Sequence, residues 1–69
     1  MEEIKIKTEF IKLQQLLKLA GLVDQGSDAK IYITNGFVTV NGVVVTERGK
    51  KIYPGDVVVY KEEKEIKII

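Results

Sequence analysis

The most regular hydrophobic pattern in the chain lies in its first third. Leu13, Leu16, Leu17 and Ala20 recur at the three- and four-residue spacing of one helix face, and Phe10 falls on the same side. The polar residues between them lie largely off this face. The pattern therefore predicts an amphipathic helix.

Residues at both ends of this pattern suit a helix terminus. Thr8 is a good N-cap, because its hydroxyl can accept a hydrogen bond from a free amide of the first turn. Glu9 suits the positive end of the helix dipole, and Gly21 stands where a left-handed residue ends many helices. We therefore predict a helix over residues 9–20.

The next segment supports two interpretations. Ile31-Tyr32-Ile33-Thr34 is β-branched and aromatic, which favours a strand, whereas Ser27-Asp28-Ala29-Lys30 resembles a helix cap followed by a first turn. A strand here would pair through Asn35-Gly36 with residues 37–40 and begin a meander of strands.

The helical interpretation predicts a different set of buried residues in the same segment. A helix over residues 28–35 would bury Ala29, Tyr32 and Ile33 and would end at Gly36. It would also run against the β-propensity of the segment. The residues alone leave both interpretations open.

The following segment favours β-structure. Residues 37–40 and 43–46 flank Asn41-Gly42, the preferred dipeptide of a tight hairpin turn. Pro54-Gly55-Asp56 predicts a second turn, and residues 57–60 a strong strand. A hairpin followed by a third strand is therefore expected.

Isoleucine and lysine alternate at both ends of the chain. Ile4 and Ile6 flank Lys5, and Ile66 and Ile68 flank Lys67, so each end predicts a half-buried strand. We expect both strands to lie in one sheet. Residues 61–65 are charged and predict a solvated hairpin turn.

Length and composition restrict the class of protein. We expect a chain of 69 residues to form one domain, spanning residues 1–69. Because the chain has no His and no Cys, it cannot form zinc sites from those residues, disulfides, Cys nucleophiles or His general bases. Ser27, the only serine, is interpreted as a helix cap. We expect neither an enzyme nor a cofactor.

The remaining candidates for ligand chemistry are carboxylates and glycines. The candidate carboxylates lack the spacing of a calcium-binding loop, and the glycines form neither a dinucleotide-binding nor a phosphate-loop motif. The carboxylates considered are Asp24, Asp28, Glu47 and Asp56. Solvated or turn positions explain them, and we expect no metal site.

The positive charge is concentrated in the middle of the chain. The net charge is only +1, but residues 10–51 hold six Lys and Arg against three Asp and Glu. Arg48-Gly49-Lys50-Lys51 is the densest basic stretch, and a glycine-containing basic loop suits contacts with phosphate. A solvated loop between strands explains it equally well on residues alone.

The hydrophobic runs are short. Residues 43–45 and 57–60 are among the longest, far below the ~20 residues of a membrane helix, and no apolar signal region follows Met1. We expect a cytoplasmic protein with no membrane partner.

Three segments, taken in order after the Leu-rich helix, carry a family resemblance. They are Ser27-Asp28-Ala29-Lys30, then Phe37-Val38-Thr39-Val40-Asn41-Gly42, then Ile52-Tyr53-Pro54-Gly55-Asp56-Val57. Over residues 10–60 the chain resembles the S-four-type RNA-binding domain, named after a small-subunit ribosomal protein. It is most similar to the small stand-alone bacterial YaaA- and YbcJ-like members.

The resemblance implies an architecture and a binding surface. It implies a helix at residues 28–35 and an α+β fold, with two short helices in an L packed on a small, mainly antiparallel sheet. In that family, basic residues on the exposed face of the helix pair and on the adjacent loop hold RNA phosphates. The matching residues here are Lys12, Lys18, Lys30, Arg48, Lys50 and Lys51.

The function implied is non-catalytic binding of structured RNA, ribosomal or transfer RNA, with a ribosomal subunit as a further candidate partner. Recognition would use shape and phosphates, because bases in duplex RNA are poorly accessible. The aromatic residues lie in apolar patterns, and we expect them in the core rather than in a stacking platform. They are Tyr32, Phe37, Tyr53 and Tyr60.

A protein-interaction module of ubiquitin-like type is the alternative. It is suggested by the Pro54-Gly55-Asp56 turn before a valine-rich strand and by the β-rich C-terminus. The chain ends in Lys67-Ile68-Ile69 rather than the Gly-Gly of a carrier, which leaves interaction through an exposed strand edge. A helix at residues 31–34 would favour the RNA-binding fold, and a strand would count against it.

Overall fold

The computed structural model describes residues 1–25 and 27–69. Along the described chain, two short helices separate two N-terminal strands from five C-terminal ones. The helices are α1 (Leu13–Leu19) and α2 (Gly26–Thr34). The strands are β1 (Glu2–Ile4), β2 (Ile11–Lys12), β3 (Val38–Val40), β4 (Val43–Val44), β5 (Lys51–Ile52), β6 (Val57–Tyr60) and β7 (Lys64–Ile68).

Most of the strands form one sheet. Its order is β1-β7-β6-β3-β4, with β1 parallel to β7 and the other neighbours antiparallel. Strands β2 and β5 form a separate antiparallel pair. The prediction of an α+β fold with a mainly antiparallel sheet is confirmed, as is the prediction that both chain ends share one sheet.

One hydrophobic core joins the helices to the sheets. Leu13, Leu16 and Leu17 of α1 are fully buried, as the helical spacing predicted. They meet the inward side chains of β3, β6 and β7, which alternate with outward ones as strand geometry requires. Ile52 of β5 is also fully buried, so the small pair packs on the same core.

Helix α1 begins later than the sequence predicts. It starts at Leu13, not at residue 9, because Ile11 and Lys12 pair with β5. The Thr8 hydroxyl donates to the Phe10 carbonyl oxygen at 2.8 Å, and the N-cap position belongs to Lys12. The predicted cap at Thr8 and the predicted place of Glu9 in the first turn are therefore wrong.

Residues 31–34 are helical, so the strand interpretation is wrong and the helix implied by the family resemblance is confirmed. Helix α2 places Ala29 and Ile33 in the core, both fully buried, while Tyr32 is half-buried. This burial outweighs the β-propensity of the segment. Its N-cap position is Gln25, so Ser27 lies inside the helix and the prediction that it caps the helix is wrong.

Both helices end in the same glycine motif. After α1, Gly21 has a φ of +74°, the Gly21 amide donates to the Lys18 carbonyl, and the Leu22 amide donates to the Leu17 carbonyl. This pair of bonds is the Schellman motif, in which a left-handed residue reverses the chain and satisfies free carbonyls. The predicted end of the first helix is thereby confirmed.

The end of α2 repeats this geometry. Gly36 has a φ of +82°, its amide donates to Ile33, and the Phe37 amide donates to Tyr32. The rings of Tyr32 and Phe37 lie 6.1 Å apart, which supplies the hydrophobic contact that usually accompanies the motif. The motif fixes where the chain leaves α2 and enters β3.

Two hairpins of the sheet turn through left-handed residues. In the β3–β4 hairpin these are Asn41 (φ +52°) and Gly42 (φ +83°), which confirms the predicted turn. The β6–β7 hairpin uses Lys61 (φ +53°) and Glu62 (φ +60°), neither of which is a glycine or asparagine. It is also shorter than predicted, because Lys64 already belongs to β7.

Contacts of Lys61 hold the second turn in place. Its amide donates to the Phe37 carbonyl at 2.8 Å, and its ammonium lies 4.2 Å from the ring centre of Tyr32 and 5.3 Å from that of Tyr60. These cation–π contacts compensate for the strain of a left-handed lysine. Glu62 shares the strain without sharing those contacts.

Replacing Glu62 by glycine is expected to stabilise the protein. Relief of the left-handed strain, about 1–2 kcal/mol, exceeds the entropy that glycine loses on folding, about 0.5–1 kcal/mol. Urea denaturation of Glu62→Gly should show a higher free energy of unfolding, by about 0.5–1 kcal/mol.

The neighbouring Glu63→Gly is the matched control, because Glu63 is also exposed but is not among the residues with positive φ. It should lose stability through chain entropy alone. Equal effects of the two substitutions would contradict the assignment of strain to Glu62.

Candidate functional site

The basic loop before β5 folds back onto the start of α1. Strand pairing sets Lys12 directly opposite Lys51. The Leu13 amide donates to the Lys50 carbonyl at 2.8 Å, and the Gln14 amide donates to the Arg48 carbonyl at 3.1 Å. Backbone hydrogen bonds therefore gather four basic residues, which we call the basic cluster: Lys12, Arg48, Lys50 and Lys51.

The first backbone amides of α1 are not available to a ligand at the basic cluster. The first amides of α1 already donate to the loop carbonyls, and the Lys12 amide lies 3.3 Å from the Gln15 side-chain oxygen, which accepts its hydrogen bond. All four cluster side chains are exposed. The site therefore offers exposed cationic side chains rather than the free amides of a helix N-terminus.

The arrangement of charge in the cluster is unfavourable for folding. Like charges directly opposite on antiparallel strands repel, and Lys12 and Lys51 are such a pair. Lys12 also places a positive charge at the positive end of α1, whose first turn has no acidic residue. An anion bound between these side chains would remove both penalties.

The structure does not gather all of the residues that the family resemblance implies. Lys18 is exposed in the last turn of α1, at the opposite end of the helix from the loop. Lys30 is exposed on α2. The basic cluster is thus a four-residue core of the candidate site, and Lys18 and Lys30 are separate positions on the helices.

Two aromatic residues adjoin the basic cluster. The Lys51 ammonium lies 4.9 Å from the ring centre of Phe10, and the rings of Phe10 and Tyr53 lie 5.9 Å apart. Tyr53 is 42% exposed. Because Ile52 points into the core, strand alternation turns Tyr53 outward. The alternation of side chains along a strand is the sequence signal that predicts this exposure.

The expectation that the aromatic residues lie in the core is correct only in part. Tyr60 is buried and Tyr32 is half-buried, whereas Tyr53 and Phe37 are exposed, Phe37 by 50%. Phe37 follows the left-handed residue that ends α2, and its ring packs edge-on against that of Tyr32. The two exposed rings border two different grooves.

A groove of about 400 Å³ lies beside the basic cluster. Tyr53 lines it together with valines of the β3–β4 hairpin, and Lys50 and Lys51 also border it. Asn41 and Asp56 contribute polar groups to its lining. The groove is therefore both basic and aromatic.

A larger groove of about 620 Å³ lies on the outer face of the main sheet. Its walls include Phe37, Val44 and Val59, and its charged side chains, Lys61 and Glu62, are of opposite sign. Although this groove is larger, its two charges offset each other and its lining is mainly apolar, so it offers no concentrated positive charge to a ligand. The basic cluster and its neighbouring groove are therefore the candidate site.

The helices are short compared with a bilayer. Helix α2, the longer one, has nine residues, and within residues 1–25 and 27–69 no helix has the length and apolar character needed to cross a membrane.

The helix pair, the mainly antiparallel sheet and the exposed basic loop define a small α+β domain of the αL type. Residues 4–69 match the family model described as the S4 domain. The chain belongs to the S4 domain family, which confirms the resemblance seen in the sequence.

Two curated bacterial proteins are similar to this chain. The "Probable ribosome maturation protein RlbA" of Bacillus subtilis (strain 168) is 46% identical over 55 residues, which cover 80% of this chain and 78% of that protein. The "Putative RNA-binding protein YbcJ" of Escherichia coli (strain K12) is 42% identical over 52 residues, covering 75% of this chain and 74% of that protein.

A solved structure has the same fold. The solution structure of YbcJ from E. coli superposes with a TM-score of 0.75 at 33% sequence identity, covering 100% of this chain and 87% of that one. That structure is described as revealing an αL motif involved in RNA binding. The likeness confirms the implied fold with its two helices and sheet.

Removing the charge of Lys12 is expected to stabilise the free protein. Lys12→Gln relieves the repulsion from Lys51 and removes a cation from the positive end of α1, so the free energy of unfolding should rise by about 0.5 kcal/mol at low salt. The gain should shrink at high salt as screening increases. Urea denaturation at two salt concentrations measures both effects.

Lys18→Gln is the matched control in the same helix. Its charge lies in the last turn, where the dipole favours a cation, so this substitution should be neutral or slightly destabilising. A stabilising effect of the same size at both positions would show that the cluster carries no specific electrostatic penalty.

Proposed function

We propose that this chain binds structured RNA without catalysis and that the basic cluster contacts its phosphates. The observation that carries the proposal is the pairing of Lys12 with Lys51, which sets two exposed lysines directly opposite each other on neighbouring strands. The family, and relatives whose names include RNA binding and ribosome maturation, support the same function.

The mode of recognition follows from the residue types. Three of the four cluster residues are lysines, which act as point charges and lack the bidentate fork of arginine. Such a site attracts phosphates and reads the shape of a folded RNA, while it makes few contacts with base edges. Binding should therefore depend strongly on salt.

Ribosomal RNA is the target that we favour, with transfer RNA as the competing one. The similarity to a probable ribosome maturation protein supports this choice and makes a ribosomal subunit or its precursor the corresponding partner. A cytoplasmic location follows from that partner. Comparing a ribosomal RNA fragment with a transfer RNA in the same assay separates the two targets.

Lys18 and Lys30 have a secondary role in this proposal. Both are exposed on the helices, outside the basic cluster. Each is expected to contribute less to affinity than a cluster residue. Single alanine substitutions at Lys18 and Lys30 measure that contribution.

Loss of two cluster lysines should weaken RNA binding and its dependence on salt. For Lys50→Ala/Lys51→Ala, we expect the slope of log affinity against log salt to fall by about 1–2, because two phosphate contacts are removed. Fluorescence anisotropy with a structured ribosomal RNA fragment over a salt series measures affinity and slope together.

Lys64→Ala/Lys67→Ala is the matched control for charge. Both lysines are exposed on β7, in the main sheet rather than in the β2–β5 pair, and their removal changes the net charge equally. If both double variants reduce the slope alike, the effect comes from overall charge and the assignment of the cluster fails.

A further inference from the structure

The groove beside the basic cluster has walls that are fixed in place. One oxygen of the Asp56 carboxylate accepts from the Tyr53 amide at 2.8 Å, and the other accepts from the Asn41 side-chain nitrogen at 3.0 Å. The Asn41 side-chain oxygen accepts from the Val57 amide at 2.9 Å. This network ties the β3–β4 turn to the turn that carries Tyr53, so both walls are positioned before a ligand arrives.

The Tyr53 ring has the properties of a stacking surface. It is 42% exposed and lines the groove, and Phe10 supports it at a centroid distance of 5.9 Å. Val43, on the β3–β4 hairpin across the groove, is 66% exposed. A flat ring could therefore contact Tyr53 on one side and apolar side chains on the other.

The charge at the groove identifies the kind of ring that fits. Lys50 and Lys51 border the groove, so a ring that carries a phosphate satisfies both features at once. Proteins hold unpaired nucleotides by this combination, with an aromatic side chain against the base and a cation at the backbone. The volume of about 400 Å³ lies within the range of small-ligand sites, about 300–1,000 Å³.

We propose that this groove takes one unpaired nucleotide of the bound RNA, with its base against Tyr53 and its phosphate at Lys50 and Lys51. The inference rests on the proposed RNA binding and adds a feature of the target. A base paired within a duplex cannot reach Tyr53, so the RNA must present a bulged or looped-out nucleotide beside its helix.

The test compares two RNA stems that differ in one nucleotide. One stem carries a single bulged adenosine, and the other is fully paired. The wild-type protein should bind the bulged stem about 10-fold more tightly, the order expected for one stacked base. Tyr53→Leu should lose this preference, and Tyr53→Phe should keep it.

A spectroscopic readout locates the base itself. A bulged 2-aminopurine in the same stem should lose fluorescence when the wild-type protein binds, because stacking on an aromatic ring quenches it. The quenching should be absent with Tyr53→Leu. Phe37→Leu is the matched control, because Phe37 is similarly exposed but borders the other groove.

The outcomes distinguish the two proposals. Equal affinity of the wild type for both stems, or a bulge preference that survives Tyr53→Leu, overturns the nucleotide site and leaves RNA binding standing. Failure to bind either stem at low salt contradicts both. Circular dichroism verifies folding, and if Tyr53→Leu does not fold, Val43→Glu tests the opposite wall by placing a carboxylate against the base and should abolish the preference.

Discussion

The pairing of the basic loop with the start of α1 is the constraint on which the site depends. Two backbone hydrogen bonds, from Leu13 to Lys50 and from Gln14 to Arg48, join segments that are far apart in the sequence. They satisfy the first amides of α1 and at the same time anchor the loop, whose neighbour Ile52 is fully buried in the core. The cationic side chains thus project from a backbone that the core holds in place, and this is why an exposed loop can act as a defined surface.

The parts of the fold that the sequence predicts correctly are those governed by local rules. The apolar face of α1, the left-handed Gly21 and the Asn41-Gly42 turn each follow from residues that are close together in the chain. The start of α1 does not, because its capping carbonyls come from a distant loop and replace the side-chain cap expected at Thr8. Tertiary contacts of this kind leave no trace in a local pattern.

In the second helix and in the candidate site, too, tertiary contacts decide what the local sequence does not. Local propensity at residues 31–34 points to a strand, and only burial of Ala29 and Ile33 against α1 and the sheet makes a helix the better solution. Family resemblance named the basic residues, but strand pairing decided which of them meet. The role of Tyr53 at a groove was missed because its apolar neighbours suggested a core position, although alternation after Ile52 turns its ring outward.

The parallel pairing of β1 with β7 has a kinetic consequence. It matches Glu2 with Ile66 and Ile4 with Ile68, so residues from opposite ends of the sequence must meet before this part of the sheet exists. Closing so large a loop costs entropy before any contact between the two strands has formed. Contacts of high sequence separation therefore slow folding. The hairpins β3–β4 and β6–β7 can form from neighbouring residues, whereas β1 can join only after β7 has been placed. A chain this small therefore folds more slowly than its length alone would suggest.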